Sequence, residues 1–254
     1  MSKFNNKFYL FANWKMYLDY TESIALAAAL VKEAPHFMDK INMTLFPSAL
    51  ALPEVAKEAQ GSGLSVGGQN IYLVEKGGYT GEISTSMIKA VGAEFVLIGH
   101  SERRHLFHET NHETRQKIEA VLTANLTPVF CIGEKLEERN EGKTLEVVEA
   151  QLRAGLDGLI WPQKKELIVA YEPVWAIGTG EACDVIEAEK VHSYIHSLIE
   201  KFFPGTIPVL LYGGSVRANN VVGYLDQPHI NGVLVGGASA KFDSWQEIIK
   251  VCTM

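Results

Sequence analysis

The pentapeptide HETNH at residues 108–112 has the H-E-x-x-H spacing with which many zinc proteases bind their metal. On one continuous helix, His108 and His112 would face the same ion, and Glu109 would act as the general base. The four residues that start at Thr110 read T-x-x-E, however, and this capping-box pattern predicts that a helix begins just after Thr110. His108 then lies outside the helix, so we interpret the match as accidental and expect no metal site.

Three further side chains with catalytic potential follow short apolar runs of the chain. Lys15 comes after FYLFA, His100 after FVLIG and Glu172 after LIVAY. A carboxylate and an imidazole suit proton transfer, and an ammonium group attracts an anionic substrate. Taken singly, each has a structural alternative: a solvated lysine, a hydrogen-bonded framework histidine, and a paired or helix-capping carboxylate. Their chemistry depends on whether the fold brings them together.

Three glycine-rich stretches favour the binding of an anion, namely GTG (178–180), YGGS (212–215) and VGGAS (235–239). Glycines let backbone N–H groups approach a ligand closely, and α/β barrels often bind phosphate after their seventh and eighth strands. The alternative is that these glycines serve only tight turns. Together with the carboxylate and the imidazole, they indicate proton transfer on a phosphorylated small molecule.

Eight predicted strands must position these side chains, and most of them are continuous apolar runs. Such runs are typical of strands that are covered on both faces, as in parallel sheets. Segments with helical periodicity separate them. The predicted strands are residues 8–12, 42–46, 64–68, 95–99, 128–132, 167–171, 208–212 and 232–236.

Strand and helix alternate eight times without a Ser/Gly-rich or Pro-rich linker. This pattern predicts an α/β protein that forms a single-domain (β/α)8 barrel over residues 1–254. An open, doubly wound sheet is the alternative topology. In either fold, ligands bind at the carboxyl ends of the strands, so the side chains that follow the strands should share one rim.

Composition argues against several other classes of protein. The 254 residues carry a formal net charge of -7, whereas a non-specific nucleic-acid-binding protein needs clustered Lys and Arg. The first residues lack the pattern of a signal peptide, and no apolar run approaches the ~18 residues of a transmembrane helix. Cys131, Cys183 and Cys252 show no metal or disulfide spacing, so we expect buried or incidental thiols. These features indicate a cytoplasmic enzyme that binds neither membrane nor nucleic acid.

Eight motifs occur along the chain: NWKM (13–16), GQN (68–70), GGYTGEIS (77–84), IGHSERR (98–104), CIGE (131–134), YEPVWAIGTG (171–180), YGGSV (212–216) and GVLVGGAS (232–239). In their residues and in their order they resemble the motifs of the triosephosphate isomerase family. The resemblance implies a TIM barrel and an isomerase of glycolysis and gluconeogenesis, which interconverts dihydroxyacetone phosphate and D-glyceraldehyde 3-phosphate. It also implies that the reaction uses no metal and no organic cofactor.

The resemblance further implies the roles of the catalytic residues. Glu172 would be the base that moves a proton between two carbons, and His100 would act on the substrate oxygens as a neutral imidazole. A helix that begins directly after His100 would disfavour positive charge on this ring. Asn13 and Lys15 would stabilise the enediolate oxygen, and Glu102 would be a helper whose task is the least defined.

Phosphate binding and lid closure are implied in the same way. Ile177 and Leu234 would form an apolar clamp whose desolvation raises the basicity of Glu172. A mobile lid would exclude water from the enediol phosphate, which otherwise eliminates phosphate. The phosphate-binding residues would be Asn13, Lys15, Gly178, Ser215, Gly236 and Gly237. The lid residues would be Pro173, Val174, Trp175, Ala176, Ile177, Gly178 and Thr179.

The polar stretch EKGGYTGEIS at 75–84 is long for a strand-to-helix connection. Read without the family, it is equally consistent with a flexible surface loop. The resemblance implies instead that the protein is a homodimer, in which Thr80 reaches the partner's Asn13 and the partner's Lys15.

Three residues depart from the common family pattern, namely Tyr17, Gly78 and Asn231. None is at a proton-transfer or phosphate-contact position of the family. We therefore expect these departures to affect loop stability and subunit affinity rather than the chemistry.

Three other functions remain alternatives to isomerisation of triose phosphate. A Schiff-base aldolase would use Lys15 as its nucleophile, and a different sugar-phosphate isomerase would use the same rim. A non-catalytic binding protein on the same fold is the third. A nicotinamide-dependent dehydrogenase is disfavoured, because no G-x-G-x-x-G follows the first strand.

Overall fold

Eight parallel strands form a closed barrel in the computed structural model, which describes residues 7–163, 165–178 and 181–254. All eight predicted apolar runs lie on these strands, and their ends agree with the observed ends to about one residue. The strands are β1 (Phe8–Asn13), β2 (Ile41–Phe46), β3 (Ser65–Gly68), β4 (Phe95–Ile98), β5 (Thr127–Ile132), β6 (Ile168–Tyr171), β7 (Val209–Tyr212) and β8 (Gly232–Val235).

The barrel closes through pairing of β1 with β8, which sets Tyr9 opposite Gly232 and Ala12 opposite Val235. Every other strand pairs with the one that follows it in the sequence. The prediction of a (β/α)8 barrel is therefore confirmed, and the alternative of an open, doubly wound sheet is wrong. Because all strands are parallel, their carboxyl ends meet at a single rim.

Ten α-helices lie between and after the strands of the described ranges. Polar side chains fix where several helices begin: Asp19, Thr110 and Asp184 each accept hydrogen bonds from backbone N–H groups in the following turn. None of these helices is both long and apolar enough to cross a membrane. The helices are α1 (Tyr20–Glu33), α2 (Leu52–Ala59), α3 (Thr85–Ala90), α4 (Ser101–Leu106), α5 (Asn111–Thr123), α6 (Leu136–Asn140), α7 (Thr144–Leu156), α8 (Val185–Phe202), α9 (Val221–Leu225) and α10 (Phe242–Thr253).

Two buried apolar layers hold the rim in place. The inner layer fills the barrel, where the ring of Phe11 lies 5.6 Å from the rings of Phe46 and Phe95. The outer layer packs the helices against the outside of the strands. A barrel filled with side chains resists deformation, so the groups that its strand ends carry keep their relative positions.

The H-E-x-x-H match does not form a helical pair of histidines. Helix α5 begins at Asn111, and Thr110 caps it through reciprocal hydrogen bonds with Glu113. His108 precedes the helix in a left-handed backbone conformation with φ 57°. The prediction that the helix begins after Thr110 is confirmed, and Glu109 points into the protein with only 8% of its surface exposed.

All three cysteines are buried free thiols, as the sequence analysis predicts. Burial raises the pKa of Cys183 and the pKa of Cys252 to about 12. Burial also raises the pKa of Cys131, and the nearby Glu172 carboxylate adds to this effect. Thiols with raised pKa values hold little thiolate at neutral pH, so none of the three is a strong nucleophile.

Candidate active site

A cavity of about 220 Å³, the rim cavity, lies where the carboxyl ends of β1, β4, β6, β7 and β8 meet. It is lined by all the residues predicted for catalysis, phosphate binding and the apolar clamp except Glu102: Asn13, Lys15, His100, Glu172, Ile177, Gly178, Ser215, Leu234, Gly236 and Gly237. Glu102 borders a second cavity, the adjoining groove, which also reaches Lys15 and His100. Thr80 lines neither space.

Glu172 and His100 form the buried centre of the rim cavity. Oε1 of Glu172 lies 3.0 Å from Nε2 of His100, and the side chains are 2% and 7% exposed. The other carboxylate oxygen, Oε2, accepts a hydrogen bond of 2.8 Å from the backbone N–H of Ser101. The chain thus brings a carboxylate from the end of β6 into contact with an imidazole from the end of β4.

The position of His100 at the start of α4 determines which ring nitrogen carries its proton. His100 is the N-cap of this helix, and Nδ1 accepts a hydrogen bond of 3.2 Å from the backbone N–H of Glu102. A nitrogen that accepts carries no proton, so a neutral ring has its proton on Nε2, which faces Glu172. The predicted helix start directly after His100 is confirmed.

The pKa of Glu172 is lowered in this conformation. Burial raises the pKa, but the interaction with His100, the Ser101 N–H and the Lys15 ammonium together outweigh it. The prediction that desolvation raises the basicity of Glu172 is therefore not met in this conformation, because hydrogen bonds and charges lower its pKa by more than burial raises it. The carboxyl is instead held in the ionised form, which is the form a proton acceptor requires.

Lys15 has a left-handed backbone conformation with φ 50°, which costs a residue with a side chain roughly 1–2 kcal/mol. Its N–H donates to Asn13 Oδ1 at 3.1 Å, and its carbonyl accepts from Gln69 Nε2 at 2.8 Å. Its ammonium lies 2.6 Å from Glu102 Oε1, and 14% of the side chain is exposed. Hydrogen bonds on both sides thus hold a strained turn that presents a cation to the rim cavity.

Glycines after β7 and β8 leave the space that two of these side chains occupy. A Cβ atom on Gly213 would lie 2.8 Å from Cγ of Glu172. A Cβ atom on Gly236 would lie 3.0 Å from Cε of Lys15. Both separations are shorter than ordinary carbon contacts, so any side chain at 213 or 236 would displace the Glu172 carboxylate or the Lys15 ammonium.

Gly133, directly after β5, is equally constrained although it does not line the rim cavity. A Cβ atom at this position would collide with the backbone carbonyl of Glu172. The side-chain amide of Gln151 accepts from Gly133 N at 2.8 Å and donates to Gly133 O at 3.0 Å. The backbone of β5 therefore lies directly against the backbone that carries the carboxylate.

The predicted lid begins in a 3-10 turn over Val174–Ala176. The indole of Trp175 donates to Glu134 Oε1 at 2.9 Å, and the guanidinium carbon of Arg139 lies 3.6 Å from the centre of the same ring system. These contacts fix the amino-terminal side of the lid to the segment after β5.

The last residue of this 3-10 turn contacts the glycine-rich turn after β7. Ser215 Oγ donates to the backbone carbonyl of Ala176 at 2.6 Å. Gly178 has φ 72°, which glycine adopts without the cost of a side chain. Thr179, the last predicted lid residue, lies outside the described residues.

Sequence reasoning missed residues that border or support the rim cavity. Tyr17 and Arg217 line it, although Tyr17 was expected to lie away from substrate contacts. Arg104 does not line it but donates from Nε to the carbonyl of Gly99, the residue before His100, at 2.7 Å. The position of Arg217 just after a glycine-rich turn is a signal for anion binding, whereas nothing in the pair Arg103-Arg104 shows which arginine binds the carbonyl of Gly99.

A buried ion cluster around Glu109 supports the turn after β4. The carboxylate accepts from Gly99 N at 3.1 Å, from Arg103 Nε at 2.8 Å and from Lys117 Nζ at 2.5 Å. The Lys117 ammonium also donates to Asn70 Oδ1 at 2.8 Å. The Glu109 and Lys117 side chains are 3% and 7% exposed, so each neutralises the other in a region of low polarity.

We expect Glu109→Gln to lower the free energy of unfolding by about 3 kcal/mol at neutral pH, because it leaves the Lys117 ammonium buried without its counter-charge. Burial alone would raise the pKa of Glu109, but Lys117 and then Arg103 outweigh burial, and the pKa is lowered. The carboxylate therefore stabilises the fold above the unfolded-state pKa, about 4.3, and this contribution disappears as the pH falls through the lower folded pKa. Urea unfolding should show a smaller effect of the substitution in acid than at neutral pH.

The matched control removes both charges. Glu109→Gln/Lys117→Met should regain part of the stability that Glu109→Gln alone loses, because no unpaired ammonium is left in the interior. A double variant as unstable as the sum of its parts, or an effect of equal size in acid, would contradict the ion-pair interpretation.

The remaining departures from the family pattern lie away from the rim cavity. Asn231 accepts at Oδ1 from Leu210 N at 2.8 Å, and its own N–H donates to Leu210 O at 2.8 Å. Gly78 is exposed, and a Cβ atom there would meet nothing within 4 Å. The predicted effects on loop stability and subunit affinity stay predictions.

Comparison with known proteins gives one consistent family. A family model described as triosephosphate isomerase matches residues 8–252. The triosephosphate isomerase of Syntrophotalea carbinolica is 40% identical over 95% of this chain and 97% of the relative, and that of Rhodopirellula baltica is 41% identical over 94% of each. The triosephosphate isomerase of Leptospira interrogans is 42% identical over 93% of this chain and 96% of the relative. The family that the motifs predict is confirmed, and the chain belongs to the triosephosphate isomerase family.

Proposed function

We propose that Glu172, His100, Asn13 and Lys15 carry out the reaction of this family in the rim cavity. The chain is an aldose–ketose isomerase that interconverts dihydroxyacetone phosphate and D-glyceraldehyde 3-phosphate through an enediolate. Proton transfer and charge stabilisation suffice for this reaction, so the proposed mechanism uses side chains and backbone N–H groups without metal or organic cofactor.

Glu172 is the proposed base. Its carboxylate removes a proton from the hydroxymethyl carbon of dihydroxyacetone phosphate, and the electron pair of that C–H bond forms the C=C bond of the enediolate. The carbonyl oxygen takes up the negative charge. Return of the proton to the neighbouring carbon, with transfer of one proton between the two oxygens, gives the aldehyde. The buried contact with His100 supports this assignment, because it holds the carboxylate against the group that acts on the oxygens.

His100 and Lys15 are proposed to stabilise the charge that develops on oxygen. The proton on Nε2 of a neutral His100 can donate to either substrate oxygen, and the Asn13 amide and Lys15 ammonium supply a dipole and a cation. The Lys15–Glu102 ion pair supports a positioning role for Glu102, because it restrains the ammonium before substrate arrives. These donors are fixed before the reaction begins, so little reorganisation is needed in the transition state.

The phosphate is proposed to bind between Lys15 and the backbone N–H groups of Gly178, Ser215, Gly236 and Gly237. Closing of the lid over 173–179 would then exclude water from the enediolate, as it does in triosephosphate isomerases. The observation that carries the proposal is that the base, the imidazole, the ammonium and three glycine-bearing segments line one cavity.

A coupled assay on the purified chain tests the function. Dihydroxyacetone phosphate formed from glyceraldehyde 3-phosphate is reduced by glycerol-3-phosphate dehydrogenase, and loss of NADH absorbance reports turnover. We expect saturable activity that persists in a metal chelator. A preparation that is folded but inactive would contradict the proposal and would favour a non-catalytic binding role.

An aldolase mechanism has less support. A Schiff base requires a lysine nitrogen that is free to attack a carbonyl carbon, whereas Nζ of Lys15 lies 2.6 Å from Oε1 of Glu102 in an ion pair. Borohydride added during turnover should therefore leave the mass of the chain unchanged. A covalent adduct on Lys15 would reverse this preference.

The proposed assembly is a homodimer. The adjoining groove has a volume of about 420 Å³, and two large apolar side chains, Met16 and Phe107, line it while 94% and 65% exposed. Exposed apolar groups of this size beside a catalytic cavity favour burial in an interface. The stretch 75–82 is exposed along its whole length and carries Thr80, which makes it the proposed insert into the partner's groove.

We expect Phe107→Glu to weaken dimerisation roughly 10²-fold, because an interface would have to bury an unpaired carboxylate. Sedimentation velocity over a dilution series measures the change. Ile160→Glu is the matched control, since Ile160 is 94% exposed and lies outside the groove. A wild-type chain that sediments as a monomer, or a Phe107→Glu variant that associates as the wild type does, would contradict the proposed interface.

The proposal also includes a location and a domain assignment. Three buried thiols without disulfides favour a reducing compartment such as the cytoplasm. The uninterrupted order of strand neighbours supports one catalytic domain over residues 1–254. The formal net charge of -7 favours a small-molecule substrate bound at a local cation over a nucleic-acid partner.

A further inference from the structure

Two tyrosines lie face to face behind the glycine-rich turn of the rim cavity. Tyr212 ends β7, Tyr224 belongs to α9, and their ring centres are 4.0 Å apart with planes inclined by 16°. Both are buried, at 0% and 1% exposure. Stacking of this kind fixes α9 against the strand that leads into Gly213-Gly214-Ser215.

The two hydroxyl groups form hydrogen bonds with the backbone N–H and the backbone carbonyl of one residue, Cys183. The Cys183 N–H donates to Tyr212 Oη at 3.1 Å, and Tyr224 Oη donates to the Cys183 carbonyl. The hydroxyl oxygens are 3.3 Å apart. A hydroxyl has one proton, and Tyr224 gives its proton to the carbonyl, so Tyr212 is the donor between the two. Three hydrogen bonds thus form a closed ring in which each hydroxyl donates once and accepts once.

Burial keeps this ring intact across a wide pH range. Burial raises the pKa of Tyr212, and the hydrogen bond with Tyr224 raises it further. Burial likewise raises the pKa of Tyr224. Both phenols therefore stay protonated, and in a region of low polarity each bond of the ring strengthens the next.

The ring joins the two parts of the site that must hold the substrate phosphate. Cys183 lies shortly after the lid segment and directly before Asp184, the N-cap of α8. Tyr212 lies directly before the glycine-rich turn, and a Cβ atom on Gly214 would collide with its hydroxyl group. The backbone of Cys183, which follows the lid in sequence, is thus bound through the two phenols to the end of β7 and to α9.

We propose that Tyr224, which does not line the rim cavity, is a positioning residue of the isomerase reaction that holds the lid's carboxyl side in register with the phosphate-binding turn. This inference rests on the proposed function of the rim cavity. Without the Tyr224 hydroxyl, the Cys183 carbonyl loses its donor and the Tyr212 hydroxyl loses its acceptor. The lid then closes less completely, and water reaches the enediolate more often.

Tyr224→Phe removes the hydroxyl and keeps the stacked ring. We expect kcat/KM to fall at least about tenfold, because two buried hydrogen-bonding groups, the Cys183 carbonyl and the Tyr212 hydroxyl, are left unpaired. We also expect a larger share of turnovers to end in free inorganic phosphate, which is measured beside the isomerase product. The share of turnovers that release phosphate is the critical readout. A substitution that only destabilises the fold would lower the melting temperature but would leave this share unchanged.

Three comparisons complete the test. Tyr212→Phe should act in the same direction, and Tyr212→Phe/Tyr224→Phe should be no worse than the more damaging single variant, because both substitutions open the same ring. Tyr194→Phe removes the hydroxyl of a half-buried tyrosine that donates to Glu149 between α7 and α8, and it should leave both readouts at the wild-type level. Wild-type values for Tyr224→Phe, or independent effects that multiply in the double variant, would overturn the inference. An inactive wild type would instead overturn the proposed function.

Discussion

Glu172→Gln should lower kcat by about 10³-fold, within the range that a positioned general base contributes. The amide has the shape of the carboxyl but cannot take a proton from carbon. It also cannot satisfy both of its neighbours, since its oxygen can face either the Ser101 N–H or Nε2–H of His100, and its NH2 group then opposes the other donor. Steady-state turnover in the coupled assay measures the loss, and circular dichroism confirms that the variant is folded.

Glu172→Asp is the informative control for this prediction. It keeps the negative charge and shortens the side chain by one methylene, so it separates the presence of a base from its placement. We expect turnover between that of the wild type and that of Glu172→Gln, because a shorter carboxylate reaches the substrate carbon poorly. A Glu172→Gln variant with wild-type kcat would remove Glu172 from the mechanism.

Lys15→Met should lower kcat/KM by about 10²–10³-fold, because it removes the cation that we propose to attract both the phosphate and the developing enediolate. Two unit charges about 4 Å apart interact by about 4 kcal/mol in surroundings of intermediate polarity, and the largely buried Lys15 approaches that situation. The affinity for a non-reacting phosphate analogue should fall as well. Steady-state kinetics and analogue titration measure the two effects.

Glu102 forms an ion pair with Lys15, so its carboxylate is also affected by this variant, and substituting it supplies the control. Lys15→Met leaves the Glu102 carboxylate unpaired beside the cavity, where it would repel a phosphate dianion. Lys15→Met/Glu102→Gln removes that repulsion, so part of the affinity should return while the catalytic defect remains. Analogue affinity that is unchanged in Lys15→Met would show that the ammonium does not bind the anion.

The strands and their shared rim could be predicted because they depend on local patterns. A continuous apolar run such as 167–171 must be covered on both faces, and a polar residue directly after it, such as Glu172, must lie at the carboxyl end of the strand. A fold-level rule then places all such residues on one side. The meeting of Glu172, His100 and Lys15 could therefore be predicted without knowledge of any distance.

The supporting groups could not be predicted, because their partners are remote in sequence and leave no periodic signal. Tyr224 bonds a carbonyl 41 residues away, and Lys117 bonds Asn70 across 47 residues. In sequence, Lys117 resembles any solvated lysine on a helix. The direction of the Glu172 pKa was missed for a related reason: it depends on the contact with His100 at 3.0 Å and on the Ser101 N–H at 2.8 Å, which composition cannot reveal.

Gly133 shows how far the demands of the reaction extend beyond the groups that touch substrate. The backbones after β5 and β6 are so close that an added methyl group would require the volume already filled by the Glu172 carbonyl. Random mutagenesis scored by enzyme turnover should therefore find this position as intolerant as the base itself. Glycine is then the one residue that fits at position 133, although it carries no reactive atom, because the backbone of Glu172 leaves no space for a side chain.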